Sequence, residues 1–169
     1  MVQVTFNKEP VNLAGEEKKV GDNAPNFTVV ANDLSEKSLS DFDAKVKLIS
    51  VVPSLNTGVC SKQTRRFNQD ASQLKDVDIL TISMDLPFAQ SGWCAANGIE
   101  EVTTLSDHRT ADFGMKYGVL MEHLRLLARA VFVVDASNTI TYVEYVDEVT
   151  THPNYEAAYK AAKEAVEKK

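Results

Sequence analysis

The residue best placed for chemistry in this chain is Cys60, one of two cysteines. It follows a cluster of turn-forming residues at positions 53–58 and begins a polar and apolar pattern of helical period. The unpaired backbone N–H groups and the dipole of a helix N-terminus favour negative charge, and the thiolate is the reactive form of cysteine. Cys60 is therefore predicted to be a nucleophile.

The second cysteine, Cys94, lies 94 − 60 = 34 positions later, in a segment of helical pattern that ends at Asn97 and Gly98. In a reducing compartment, two such cysteines are either inert core thiols or a redox pair. The two cysteines and three scattered histidines have no spacing typical of a metal site. The sequence also lacks a flavin or nicotinamide motif, so we expect neither a metal nor a cofactor.

Arg129 has an unusual setting, because it interrupts an apolar segment at residues 126–135 that is predicted to be one strand. An unpaired charge in such a place is costly, so an anionic partner is expected. A carboxylate in a structural ion pair is one candidate for that partner.

The composition is typical of one globular domain. The chain has 169 residues, of which 44% are apolar and 25% are charged. A formal net charge of −6 disfavours a nucleic-acid-binding surface, which needs a basic patch. No apolar run approaches the roughly 20 residues that span a bilayer, and residues 1–30 lack the pattern of a signal peptide. We therefore expect a cytoplasmic protein with no membrane or nucleic-acid partner.

The predicted elements alternate between strands and helices and end in an antiparallel pair of strands followed by a helix. Strands are predicted at residues 27–31, 46–52, 77–84, 102–105, 126–135 and 139–146, and helices at 60–74, 85–97, 107–117 and 154–169. A β-hairpin is predicted within residues 1–14, as an extension of a single domain that covers residues 1–169. This order predicts an α/β fold with a mixed central sheet flanked by helices, and a thioredoxin-like arrangement fits it.

Three sequence segments resemble a known family. Pro53, Thr57 and Cys60 stand in the spacing Pro-x-x-x-Thr-x-x-Cys, which resembles the active-site signature of the peroxiredoxins. The segments TGVC at 57–60, WCAANGI at 93–99 and LARAVFVVD at 127–135 resemble the bacterial thiol peroxidases, the atypical two-cysteine peroxiredoxins. The similarity covers nearly the whole chain.

The resemblance implies a reaction for both cysteines. Cys60 would be the peroxidatic cysteine, whose thiolate attacks a hydroperoxide and becomes a sulfenic acid. Cys94 would be the resolving cysteine, which condenses with that sulfenic acid to form an intramolecular disulfide. Thioredoxin would then reduce the disulfide, and the protein would be a homodimer. The alternative for Cys94 is a core thiol on a short helix.

The resemblance also assigns roles around Cys60. Thr57 would hydrogen-bond the sulfur and the incoming peroxide, and Arg129 would face the thiolate and hold the peroxide oxygens. Pro53 would close the substrate cavity and present no donor N–H to water. Thr57 is also compatible with a helix N-cap and Pro53 with the end of a strand.

Two further expectations concern access and movement. An apolar edge formed by Leu55, Val59 and Trp93 would suit organic hydroperoxides at least as well as hydrogen peroxide. Both cysteines are predicted on helices, whereas a disulfide needs Cα atoms roughly 4.4–6.8 Å apart. We therefore expect both segments to unwind locally during turnover.

Two other classes of function compete with this interpretation. A cysteine hydrolase would need a base among His108, His123 and His152, none of which has a recognisable context. A non-catalytic thioredoxin-fold binding module would have thiols indifferent to peroxide. A disulfide oxidoreductase is disfavoured because the chain has no Cys-x-x-Cys motif.

Overall fold

The computed structural model describes residues 2–167. Met1, part of the predicted hairpin extension, and residues 168–169 of the predicted last helix lie outside the described residues. The elements are, in chain order, β1 (Gln3–Phe6), β2 (Glu9–Ala14), β3 (Thr28–Val30), β4 (Glu36–Ser38), β5 (Val46–Val51), α1 (Gly58–Ala71), β6 (Val77–Ser83), α2 (Pro87–Asn97), β7 (Val102–Ser106), α3 (Asp112–Tyr117), β8 (Leu120–Met121), β9 (Leu126–Leu127), β10 (Ala130–Val134), β11 (Ile140–Tyr145) and α4 (Tyr155–Glu167).

The central sheet has seven strands in the order β11-β10-β5-β6-β7-β3-β4. Strand β5 pairs in parallel with β6 and antiparallel with β10, so the sheet is mixed, as predicted. The apolar run that predicted β5 is explained by its position, because a central strand is covered on both faces. The predicted α/β class is thereby confirmed.

The two faces of this sheet carry separate parts of the core, because side chains alternate along each strand. On one face, Val131 and Val133 of β10 pack with Phe67 of α1 and with the alanines of α4. On the other face, Phe132 packs edge-on against Tyr117 of α3, with ring centroids 5.2 Å apart. Helices therefore flank both faces, which fixes the position of α1 relative to β10.

The predicted N-terminal hairpin is present as β1 and β2. Its turn residues, Asn7 and Lys8, both have positive φ, which matches the twist that tight hairpins require. The hairpin belongs to a second sheet of order β1-β2-β8-β9. Strand β8 was not predicted, because the three apolar residues between Gly118 and Glu122 give too short a pattern.

The prediction of one strand over residues 126–135 was wrong. Strand β9 pairs with β8 in the small sheet, whereas β10 pairs with β5 in the central sheet. Ala128 and Arg129 lie in the gap where the chain crosses between the sheets. Both flanking strands consist of apolar residues, so hydrophobicity alone does not show that the chain changes its partner strand between them. Arg129 is thus positioned by a crossing and not by a strand.

The prediction of a helix over residues 107–117 was also too long. The backbone has a positive φ at Ala111, and the helix begins after it, at Asp112. The side chain of Asp107 accepts hydrogen bonds from the backbone N–H groups of Phe113 (3.0 Å) and Gly114 (2.8 Å). Asp107 therefore satisfies the start of α3 from the preceding loop. Within residues 2–167, no helix is long and apolar enough to cross a membrane.

Burial makes Asp107 a source of pH-dependent stability. Loss of hydration raises the pKa of its carboxyl group to about 6, and the two backbone hydrogen bonds only partly oppose this shift. A carboxyl whose pKa is higher in the folded state than in the unfolded state contributes most stability below the unfolded pKa. This contribution is lost as the pH rises through about 6.

We predict that the free energy of unfolding of the wild type falls relative to that of Asp107→Asn between about pH 4 and pH 7, by up to about 3 kcal/mol. Asparagine has nearly the same shape and cannot ionise. Urea denaturation of both proteins at several pH values measures this difference in unfolding free energy. The contributions of the other titrating groups are common to both proteins and therefore cancel. If the unfolding free energies of the two proteins instead changed in parallel with pH, the pKa of Asp107 would be the same in the folded and unfolded states, which would contradict the prediction.

Candidate active site

Cys60 is the third residue of α1 and is completely buried. Thr57 is the N-cap residue, with the extended backbone typical of that position, and its side chain makes no capping hydrogen bond. The backbone N–H groups of this first turn have no partner within the helix, so they favour negative charge close to the sulfur. The structure thus places Cys60 at the helix N-terminus, as the sequence indicated.

The loop before Cys60 is held by Asp85, which lies between β6 and α2. The carboxylate accepts hydrogen bonds from Ser54 Oγ (2.7 Å), Leu55 N (2.7 Å) and Ser83 Oγ (2.9 Å). The N-cap of α2 is Leu86, with no side-chain capping bond. Asp85 therefore ties the loop to the end of β6 and does not cap α2.

The guanidinium of Arg129 lies against the cysteine. Its Nη2 is 3.2 Å from Cys60 Sγ, its Nη1 donates to Gln63 Oε1 (2.8 Å), and its Nε donates to the carbonyl oxygen of Val149 (2.7 Å). Arg129 is only 2% exposed. Among residues 2–167, none of the ion pairs involves Arg129, so the structural carboxylate considered above is not its partner.

Gln63 is a site residue that was not predicted from the sequence. It lies one helical turn after Cys60, is completely buried, and donates from Nε2 to Ser50 Oγ on β5 at 2.8 Å. Its Oε1 accepts from Arg129, so a neutral amide orients the guanidinium. The available signal was a glutamine on the apolar face of α1, between Cys60 and Phe67. A buried amide needs such partners, because an unpaired one is costly.

A cavity of about 270 Å³ opens beside this group. Its lining residues are Phe6, Pro53, Thr57, Gly58, Val59, Arg129, Val149 and Thr150. The expected apolar edge is only partly found there, because Leu55 and Trp93 pack with Val52 and Cys60 in a separate buried cluster. Phe6 and Val149 could not be found by sequence patterns, since they come from the N-terminal hairpin and from the loop after β11.

The hydroxyl of Thr57 donates to the carbonyl oxygen of Ser54 at 3.2 Å. Its oxygen keeps two lone pairs that can accept a hydrogen bond from a molecule in the cavity. Pro53 lines the same cavity and has no backbone N–H. The structure thus brings Thr57, Pro53 and Arg129 together around one space. The hydrogen bond of Thr57 to the sulfur stays a prediction.

Cys94 lies elsewhere. It is half-buried on α2, and its Sγ is 3.6 Å from Thr104 Oγ1 on β7. It lines a second cavity, of about 350 Å³, which shares no lining residue with the cavity beside Arg129. Burial raises the pKa of the Cys94 thiol. Neither cysteine forms a disulfide in this structure.

Two of the three histidines have other partners. His108 Nδ1 is 2.8 Å from Ser106 Oγ, and His152 Nδ1 is 2.6 Å from the hydroxyl of Tyr155. The hydrogen bond of Cys60 comes from an arginine, which cannot act as a base at neutral pH. The site therefore favours a stabilised thiolate over a cysteine activated by histidine.

Comparison with known proteins agrees with this geometry. The family model described as Redoxin matches residues 19–159. A thiol peroxidase of Oceanobacillus iheyensis is 71% identical over 157 residues, which cover 93% of this chain and 96% of that protein. A thiol peroxidase of Bacillus subtilis is 58% identical over 166 residues, covering 98% of this chain and 99% of that protein.

Among solved structures, a peroxiredoxin-like protein from Aquifex aeolicus has a TM-score of 0.91 and 42% identity, and 96% of each chain is covered. The resemblance inferred from the sequence motifs is therefore confirmed over nearly the full length. The thioredoxin-like fold expected from the order of elements is confirmed with it. On these grounds the chain belongs to the Redoxin family, among the bacterial thiol peroxidases.

Proposed function

We propose that the chain is a thiol-dependent peroxidase that reduces hydroperoxides through Cys60. The observation that carries this proposal is the 3.2 Å contact between Arg129 Nη2 and Cys60 Sγ. Within residues 2–167 this buried guanidinium makes no ion pair with a carboxylate, so its charge stabilises negative charge on the sulfur. The names of the related thiol peroxidases support the same reaction.

In the first step, the Cys60 thiolate attacks one oxygen of the peroxide. The new S–O bond forms as the O–O bond breaks, so the sulfur is oxidised to a sulfenic acid and the peroxide is reduced. The leaving oxygen departs as water or as an alcohol, carrying the proton that the thiol has lost. Thiolate formation is essential, because the protonated thiol is a poor nucleophile and a free cysteine has a pKa of about 8.5.

Arg129 serves both the thiolate and the leaving oxygen. A guanidinium has five N–H donors, and the structure uses three of them, on Cys60, Gln63 and Val149. The remaining donors can bind the peroxide, since Arg129 also lines the cavity. As negative charge moves from sulfur to oxygen, the same cation stabilises both ends of the reaction. Thr57 accepts the peroxide O–H, and Pro53 keeps a competing donor away.

In the second step, the Cys94 thiol condenses with the Cys60 sulfenic acid, which forms a disulfide and releases water. Thioredoxin is the proposed reductant that returns the disulfide to two thiols, and the active form is proposed to be a homodimer. Cys60 lies on α1 and Cys94 on α2. Since a disulfide needs Cα atoms roughly 4.4–6.8 Å apart, the proposal includes local unwinding of both segments before the bond forms.

Organic hydroperoxides are proposed as substrates together with hydrogen peroxide. Phe6, Val59 and Val149 give the cavity apolar walls beside the charged Arg129. An alkyl chain can pack against those walls while the peroxide group reaches the sulfur.

One equivalent of hydroperoxide should convert the reduced protein to a Cys60–Cys94 disulfide. Peptide mapping by mass spectrometry after alkylation detects the linked peptides. In Cys94→Ser, the same treatment should leave a trappable sulfenic acid at Cys60, because the second step is blocked. If both thiols of the wild type remain alkylatable, the protein is a thioredoxin-fold binding module and the peroxidase proposal fails.

Replacement of Gln63 by methionine should slow the oxidation of Cys60 by about ten- to a hundredfold, the range for loss of one hydrogen bond to a charged group. The reason is that the guanidinium of Arg129 loses the hydrogen-bond acceptor that orients it. Stopped-flow fluorescence of Trp93, the single tryptophan, measures the second-order rate constant.

Gln90→Met is the matched control, because Gln90 is equally buried but bonds to Ser83 and Leu105 instead of Arg129. Its rate should fall less than that of Gln63→Met, because Gln90 reaches the Cys60 loop only through Ser83 and Asp85 and does not contact Arg129. Equal slowing in both variants would assign the effect of Gln63 to a general loss of packing.

A further inference from the structure

Trp93 and Cys94 are neighbours on α2, but they face different parts of the molecule. Trp93 packs against the buried cluster of Val52, Leu55 and Cys60. Cys94 reaches Thr104 on β7 instead. Successive residues of a helix point about 100° apart, so α2 cannot present both side chains to Cys60 at once. Trp93 therefore occupies the side that Cys94 must reach.

Thr104 holds Cys94 through a chain of side-chain hydrogen bonds. The hydroxyl of Thr104, which is only 3% exposed, donates its single proton to Asn32 Oδ1 at 3.1 Å. Its oxygen is then the acceptor for the Cys94 S–H, at 3.6 Å. Burial raises the pKa of the Cys94 thiol, so the protonated thiol is the form that donates to this acceptor.

The backbone secures the same residue. The carbonyl oxygen of Cys94 accepts hydrogen bonds from the N–H groups of Gly98 and Ile99, which close the C-terminus of α2. Ile99 is itself buried against the face of the central sheet that carries α1 and α4. Release of Cys94 therefore requires the loss of the Thr104 contact together with this helix end.

We propose that Thr104, oriented by Asn32, is a positioning residue that retains Cys94 in the folded form and thereby limits the rate of disulfide formation. This inference rests on the proposed function. Thr104 does not touch Cys60 or the cavity beside Arg129, so it acts on the second step alone.

The consequence is a competition for the Cys60 sulfenic acid. In one branch, Cys94 condenses with it to give the disulfide and water. In the other branch, a second hydroperoxide transfers one oxygen to the sulfur, which gives a sulfinic acid and releases water or an alcohol. Stronger retention of Cys94 by Thr104 slows disulfide formation. The sulfenic acid then has a longer lifetime, which favours the second branch.

The test compares Thr104→Val with the wild type in single-turnover stopped-flow experiments that follow Trp93 fluorescence and acid-quenched disulfide. Valine has almost the same volume and lacks the acceptor oxygen. Disulfide formation should be about two- to tenfold faster in Thr104→Val, the range for loss of one hydrogen bond. The preceding reaction with peroxide should keep its rate, and the fraction of sulfinic acid at excess peroxide should fall.

Two control variants separate the hydroxyl from general destabilisation. Thr104→Ser restores the acceptor and should bring the disulfide rate back toward that of the wild type. Thr103→Val changes the exposed neighbour on the same strand and should have no effect. A urea denaturation midpoint for each protein shows whether global stability follows the same order as the rates.

Unchanged disulfide formation in Thr104→Val, or a Thr104→Ser variant as fast as Thr104→Val, would overturn the role of Thr104. In either case the wild type would still form the Cys60–Cys94 disulfide, so the peroxidase proposal would stand. A wild type that forms neither sulfenic acid nor disulfide would overturn both proposals.

Discussion

The buried positive charge of Arg129 is the constraint on which the rest of the site depends. A guanidinium removed from water is stable only if its donors find acceptors and its charge finds a counterpart. Three residues from two parts of the chain supply them: Val149 after β11, and Cys60 and Gln63 on α1. Since the sulfur occupies the place of a carboxylate, the reactivity proposed for Cys60 depends on the same interaction that satisfies the buried charge of Arg129.

The surrounding fold explains how that interaction is held. The chain crosses from the small sheet to the central sheet at Ala128 and Arg129, and the guanidinium bonds to Gln63 and Cys60 of α1. Asp85 fixes the loop that leads into α1. Ser50 fixes Gln63 from the central strand β5. Each support joins segments distant in sequence, so the site forms only when both sheets and α1 are assembled.

Sequence patterns were sufficient for the fold class, the hairpin, the helix that begins near Cys60 and the helix that carries Cys94. The hydrophobic period and the turn residues from which these were predicted depend on local structure. They were insufficient for the sheet crossing, because the apolar residues on both sides of Arg129 look alike. They also missed Gln63, whose bond to Arg129 joins residues 66 positions apart. Side-chain hydrogen bonds and cavity walls such as Phe6 depend on tertiary packing, which leaves no periodic signal.

The most direct test of the central claim is the ultraviolet absorbance of the thiolate in the reduced protein near neutral pH. Wild type and Cys94→Ser should show a thiolate band that is absent from Cys60→Ser and strongly reduced in Arg129→Gln, because removal of the guanidinium favours the protonated thiol. A wild type without this band, or an Arg129→Gln variant that keeps it fully, would contradict the account that Arg129 holds Cys60 as a thiolate.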